Sequence, residues 1–340
     1  MSRTVHPCAP GVLLMCLAAV LLLVGCEQPV ASRPAATRVD APAPSREPIS
    51  PLPRTVDLDP QRVALGQALF QDAQLSHDNS LSCATCHPLN EAGTDHRPRG
   101  VGIYGQPLAR NTPTVFNSGF NFRQFWDGRA MTLEDQVDGP VTAAAEMGST
   151  WPEVLGKLNA SPTYRAAFNA TYPDGLTRDA VRDAIATFER SLVTPNARFD
   201  LYLGGNQTAM TGEEIEGYRL FRSYGCVSCH QGANVGGNMF QRIGVMQPYV
   251  PRLDQTGLDD RGRFQLTDNP RDDHVFKVPS LRNVALTAPY FHDGSISTLE
   301  GAVGAMGRYQ LGRQLTGTDV QRLVAFLRTL SGEYQRQPLT

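Results

Sequence analysis

The 340-residue chain carries no surplus of charge of either sign: 31 Lys and Arg against 33 Asp and Glu leave a formal net charge of −2 at pH 7. A surface that tracks phosphates needs a concentrated basic excess, so a nucleic-acid partner is excluded. The N-terminus has little apolar length for a spanning segment. The apolar run from Gly11 to Val24 is shorter than the ~20 residues that a membrane helix needs. Residues 26–55 have almost no large apolar side chains and are rich in Pro, Ala, Ser and Arg. That composition predicts a disordered tether.

What the N-terminus does have is a targeting pattern, Arg3 and His6 followed by the short apolar run. It closes on Leu23-Val24-Gly25-Cys26, which resembles a bacterial lipobox. The resemblance implies that residues 1–25 are a signal peptide, that Cys26 is acylated, and that the protein is periplasmic and held to the membrane only by its lipid. A short uncleaved anchor is the alternative. Glu27, with no Asp beside the lipidated position, favours the outer membrane over the inner.

Two further runs dominate the chain, Cys83-Ala-Thr-Cys86-His87 and Cys226-Val-Ser-Cys229-His230. Cysteines separated by two residues on one helical turn can add across the two vinyl groups of a haem, and the adjoining His places an imidazole over the iron. A single run could be a redox dithiol or half a zinc site. Two runs ending in His, in an exported chain, predict two covalently bound haem c groups. Of seven cysteines, Cys8 and Cys16 leave with the signal, Cys26 takes lipid and four take haem. None is left for a disulfide.

Helix signals surround both runs. Asp59-Pro60 starts a helix through Val63, Leu65, Leu69 and Phe70, and Thr211 starts one carrying Ile215, Tyr218 and Phe221. Thr177 caps an apolar face of Val181, Ile185, Phe188 and Leu192; Val320, Leu323, Val324, Leu327 and Leu330 repeat it near the C-terminus. The expected fold is mainly α: two cytochrome c-like haem domains in tandem, with long loops between helices. Residues 56–200 form the first, 201–332 the second and 333–340 a tail, the boundary falling between Pro195 and Thr211.

Residues 112–134 and 278–300 repeat one another at a constant offset of 166. Pro113 aligns with Pro279, Asn117 with Asn283, Phe125 with Phe291, Asp127-Gly128 with Asp293-Gly294, and Thr132-Leu133-Glu134 with Thr298-Leu299-Glu300. The copies differ where chemistry is decided: Trp126 faces His292, and Pro140 faces Met306. A thioether is a good sixth ligand that raises the potential of haem iron, and proline has nothing to coordinate with. The second haem is therefore expected to be closed by Met306, and the first to lack that ligand.

Arg110-Asn111-Thr112-Pro113-Thr114, Phe125-Trp126-Asp127-Gly128-Arg129, Glu146-Met147-Gly148, Phe276-Lys277-Val278-Pro279-Ser280-Leu281-Arg282-Asn283 and Thr287-Ala288-Pro289-Tyr290-Phe291-His292-Asp293-Gly294 resemble the bacterial dihaem cytochrome c peroxidases, within the wider group that includes MauG. The likeness covers about residues 57–332. It implies that His87 ligates a peroxidatic haem, and that His230 with Met306 ligates the haem that receives electrons. Glu146 would be the acid–base residue of the peroxide pocket, with Gln136 beside it and Trp126 on the path between haems. Asn111 with the backbone carbonyls of Thr287 and Pro289 would bind one calcium ion, oxygen ligands suiting a hard cation. Trp151 is expected to pack, and His77, His96 and His274 to be surface or packing residues. His292 is expected to hydrogen-bond near the second haem rather than ligate it.

Many members carry a distal His ahead of the Arg-Asn-x-Pro-Thr motif. Here the matching position is Ile103, with His96 seven residues earlier, which puts the usual reductive gating in doubt. The implied activity is reduction of hydrogen peroxide with electrons from a small protein donor, a cytochrome c or a cupredoxin. A MauG-like oxidation of a protein side chain is one alternative, with Tyr309 near Met306; a purely electron-transferring cytochrome is another. Relatives are often dimers, and a homodimer remains open.

Overall fold

Capping side chains set the helical framework. The computed structural model describes residues 47–249 and 260–339; the expected signal peptide, Cys26 and the first part of the expected tether lie outside them. In the first half run α1 (Pro60–Phe70), α2 (Cys83–Cys86), α3 (Leu133–Thr142), α4 (Trp151–Ala160), α5 (Pro162–Thr171) and α6 (Arg178–Ser191). In the second run α7 (Arg198–Leu203), α8 (Gly212–Ser223), α9 (Phe264–Thr267), α10 (Leu299–Ala305) and α11 (Gly317–Arg328). Asp59 caps α1, accepting from Gln61 N at 2.8 Å, and Thr177 caps α6. Thr211 and Glu214 form a reciprocal capping box on α8. The little β-structure is two antiparallel pairs: β1 (Phe240–Arg242) with β2 (Val275–Lys277), and β3 (Glu333–Tyr334) with β4 (Gln337–Pro338). No described helix is long and apolar enough to cross a membrane.

Each half is built on one close helix crossing. A Cβ on Gly66 of α1 would run into the carbonyl oxygen of Ala184 in α6, and one on Gly217 of α8 into that of Arg322 in α11. Glycine lets the backbones touch, and large side chains then interlock around the crossing. Phe70, Val181, Ile185 and Phe188 fill the first core. Tyr218, Phe221, Leu323 and Phe326 fill the second.

The repeat predicted from sequence is repeated in backbone detail. Asn117 and Asn283 both take a left-handed conformation, φ 61° and 60°, as do Phe125 and Phe291, φ 67° and 71°. Isolated bridges Gln124–Ala130 and Tyr290–Ile296 close equivalent loops. The two asparagines converge on one side chain: Asn117 Nδ2 donates to Thr194 Oγ1 at 2.8 Å and Asn283 Nδ2 to the same oxygen at 3.0 Å.

The limits of the halves differ from the sequence expectation in three places. Residues from Glu47 onward are not tether. Ile49 is buried in the second core, Pro48 O accepts from Gly232 N at 2.9 Å, and Ser50 O accepts from Arg282 Nη2 at 3.0 Å. The tail is not free either, because Tyr334 packs edge-on against Phe116 at 4.9 Å and Leu339 lies against the first core. Finally, Phe199 of α7 sits in the second core although residues 56–200 were expected to form the first half, so the crossover falls between Leu192 and Phe199, at the start of the expected Pro195–Thr211 span.

Candidate active site

Two cavities lie beside the two Cys-x-x-Cys-His runs. The second, about 260 Å³, is lined by Cys226, Cys229 and His230 together with Leu299, Ala302, Val303 and Met306. His230 Nδ1 faces the carbonyl of Val235 at 3.3 Å. A carbonyl can only accept, so that nitrogen carries the proton and Nε2 is left for a metal. Burial pushes the His230 pKa down to about 4, keeping the ring neutral. Met306 begins a π-helical turn, Met306–Gln310, that continues α10. Tyr309 does not line the cavity; it packs edge-on against Tyr249 at 5.3 Å.

The first cavity is larger, about 490 Å³, and contains Cys83, Cys86, His87, Gln136, Pro140, Glu146 and Trp126. His87 Nδ1 donates to Gly93 O at 3.1 Å by the same logic, and burial lowers its pKa. Gln136 and Pro140 come from α3, and Glu146 from the turn that follows it. Burial raises the Glu146 carboxyl above the ordinary range, with Arg129 pulling the other way. Ile103 does not face the cavity. Its N–H donates to Glu146 O at 2.8 Å and its side chain packs beneath Gly148, so the segment that could carry a distal ligand instead supports the Glu146 turn.

A shared wall divides the cavities. Asn111, Trp126 and Lys277 line both. The wall is made by a reciprocal exchange between repeats: Asn111 N donates to His292 O at 2.8 Å, and Lys277 N to Trp126 O at 2.7 Å. These are equivalent residues at the offset of 166. Trp126 and His292 meet with ring centroids 6.4 Å apart, and Trp126 Nε1 donates to Asn111 O at 2.9 Å. His292 stacks on Phe276 at 4.1 Å with its Nε2 buried and unpartnered.

Asn111 Nδ2 donates to Arg97 O at 2.9 Å, which turns the amide oxygen away from that contact. Thr287 and Pro289 line the second cavity with Asn111. Among the described residues no cluster of three or more His, Cys, Asp or Glu side chains could hold a metal. His96 lies between two carbonyls, Nδ1 3.0 Å from Ala288 O and Nε2 3.1 Å from Glu91 O, so its single N–H in the neutral ring donates to one of them, and the residue does not line the first cavity. His77 pairs with Glu153 at 3.0 Å, and Trp151 Nε1 donates to Asp138 at 2.8 Å.

Sequence reasoning missed three groups at the site. Arg110 bonds Asp127 and also Asp260, the latter at 2.6 Å. Glu189 of α6 is buried in the first cavity with one oxygen unpartnered, its pKa pushed up to about 8. Lys277 is the third. Its signal was present: it stands at the repeat position of Asn111.

The residues fit haem. Both cavities are predominantly apolar, both histidines present Nε2, and burial pushes Cys86 and Cys226 up to about 11. A duplicated helical fold with two such cavities defines a dihaem c-type cytochrome. The chain belongs to the di-haem cytochrome c peroxidase family, whose pattern it matches over residues 60–208. It is 45% identical over 295 residues to cytochrome c peroxidase of Escherichia coli K12, covering 86% of this chain and 63% of that one. It is 44% identical over 291 residues to cytochrome c551 peroxidase of Nitrosomonas europaea, covering 85% of each. Among solved structures, a MauG-like protein associated with microbial copper homeostasis matches with a TM-score of 0.74 at 28% identity, over 88% of this chain and 96% of that one.

Proposed function

We propose that this chain is a periplasmic, lipid-anchored peroxidase that reduces hydrogen peroxide to water with two electrons, delivered singly by a cytochrome c or a cupredoxin. The observation that carries the reading is the asymmetry of the cavities. Met306 lines the smaller one, while the larger presents Pro140 at the equivalent position and gathers Glu146 and Gln136.

Haem bound in the first cavity supplies the iron that takes up peroxide. Splitting the O–O bond heterolytically needs a proton moved from the inner to the outer peroxide oxygen. Glu146 is the base that accepts and returns it, and the Gln136 amide orients the substrate. Trp126, in the wall common to both cavities, lies on the route by which electrons reach the first haem from the second. The two halves would act as tandem haem domains, in which His230 and Met306 would hold the haem that receives electrons and His87 the peroxidatic one. Asn111 Oδ1 with the Thr287 and Pro289 carbonyls would hold one calcium ion between the halves.

The MauG-like alternative has less support, because Met306 and not Tyr309 faces the second cavity. A purely electron-transferring role would leave Glu146 and Gln136 in the larger cavity without a task. Steady-state peroxide consumption with reduced cytochrome c or cupredoxin tests the reading. Turnover coupled to donor oxidation is expected; a loaded dihaem protein that does not consume peroxide would overturn it.

A further inference from the structure

Of 31 basic residues only two are lysine, Lys157 and Lys277. Lys157 is fully engaged on the surface: its Nζ donates to Ser76 O at 2.7 Å and His77 O at 3.0 Å and pairs with Glu153 at 2.8 Å. Lys277 is the opposite case. It is 8% exposed, ends β2, and among the described residues nothing accepts a hydrogen bond from its Nζ. Burial alone pulls its pKa down to about 8. A lone buried ammonium is costly to fold, and such groups persist where a counter-charge arrives from elsewhere.

The other cations of the cavities are already committed, Arg99 of the first cavity among them. Arg110 and Arg129 hold Asp127, and Arg282 holds Asp200 at 2.7 Å. Arg242, toward the surface, contacts the carbonyls of Pro270 and Arg271. Lys277 is also the basic residue that lines both cavities, at the repeat position where the first half has the neutral Asn111. Haem carries two propionate carboxylates, and a compact ammonium on a flexible stem can meet one of them.

We propose that Lys277 is the counter-ion of a haem propionate at the wall between the cavities. The assignment rests on the reading that each cavity holds a haem. Lys277 completes a charge pair whose acidic half is the cofactor, and so ties haem insertion to closure of the wall. It is a positioning residue: by neutralising a carboxylate near iron it favours the ferrous state of that haem.

The test uses the fully loaded enzyme with Lys277→Met and Lys277→Arg. In K277M the midpoint potential of one haem is expected to fall by about tenfold in the ferrous-to-ferric ratio, about 59 mV for a one-electron couple. K277R should keep most of the wild-type value. Melting temperature gives a second readout with opposite signs for the two cases. Removing a paired ammonium strands a buried carboxylate and lowers the melting temperature, whereas removing a lone buried charge raises it. Unmoved potentials, or a K277M enzyme more stable than wild type, overturn the proposal. If K277M fails to load haem, K277Q carries the same two readouts. Both are spectroscopic or thermal, so an enzyme without peroxide turnover would sink the peroxidase reading and leave this one standing.

Discussion

Replacing Glu146 with Gln keeps the size and polarity of the side chain and removes its ability to take a proton. Whether another group could stand in sets the size of the effect. In the first cavity Asp127 is bonded by Arg110 and Arg129, and Asp260 by Arg110 at 2.6 Å. Glu189, with its pKa pushed up to about 8, is already protonated near neutrality and cannot accept. The Gln136 amide has no proton to exchange usefully. With no substitute base, the loss in turnover should fall in the range for a missing general acid–base, about 10²-fold or more, equivalent to ~2.7 kcal/mol of barrier. Burial raises the Glu146 pKa and the side chain must be ionised to act. Wild-type activity should therefore be lost as pH falls through a value above the ordinary carboxylate range, and that acid limb should vanish in E146Q. Stopped-flow and steady-state peroxide reduction, with haem content and cyanide binding as controls, measure both effects. Near-wild-type turnover in a fully loaded E146Q enzyme would refute the reasoning.

Met306→His should keep the second haem low-spin while lowering its potential, because imidazole favours ferric iron more than thioether does; an unchanged spectrum and potential would remove Met306 from the ligand set. Arg282→Met should cost about 3–5 kcal/mol in denaturant unfolding, since it strands Asp200 in the second core, and a cost below 1 kcal/mol would show that the pair is not buried in solution. Glu189 has a folded pKa above its unfolded one, so the stability it contributes is complete below the ordinary carboxylate value and is lost as pH rises through about 8; Glu189→Gln should flatten that part of the melting profile. Because His96 is held against the Ala288 and Glu91 carbonyls and does not line the first cavity, the oxidised enzyme should show a high-spin ferric signal in electron paramagnetic resonance and bind cyanide promptly. Two low-spin signals, one turning high-spin in His96→Ala, would show that His96 caps the first haem.

Local signals made much of this molecule legible from sequence. Asp59, Thr177 and Thr211 cap the helices they were expected to cap, because capping is decided within one turn. The offset of 166 carried over to the backbone since left-handed asparagines and closed loops are also local. What escaped depended on distance. Ile49 sits in a Pro-rich stretch that looks like tether, and only the second core's shape makes it a core residue. Lys277 lies inside a recognisable motif, but its burial and lack of partners come from the meeting of two halves. His96 looked free because the carbonyls it meets are backbone groups, Ala288 O of the other half among them, and sequence does not show where a backbone carbonyl points.

The crossed ends of the chain have one more consequence. Residues from Glu47 to Leu52 serve the second half, and Tyr334 and Leu339 serve the first, so each core is completed by the terminus of the other. A cut at the crossover after Leu192 would not release two independent modules. It would leave each fragment missing a plug that stays attached to its neighbour, with Arg282 deprived of Ser50 O on one side and Phe116 of Tyr334 on the other. The duplicated gene segments have in this way become inseparable. A tandem arrangement, once laced at both ends, can be inherited, exported and dismantled only as a single piece.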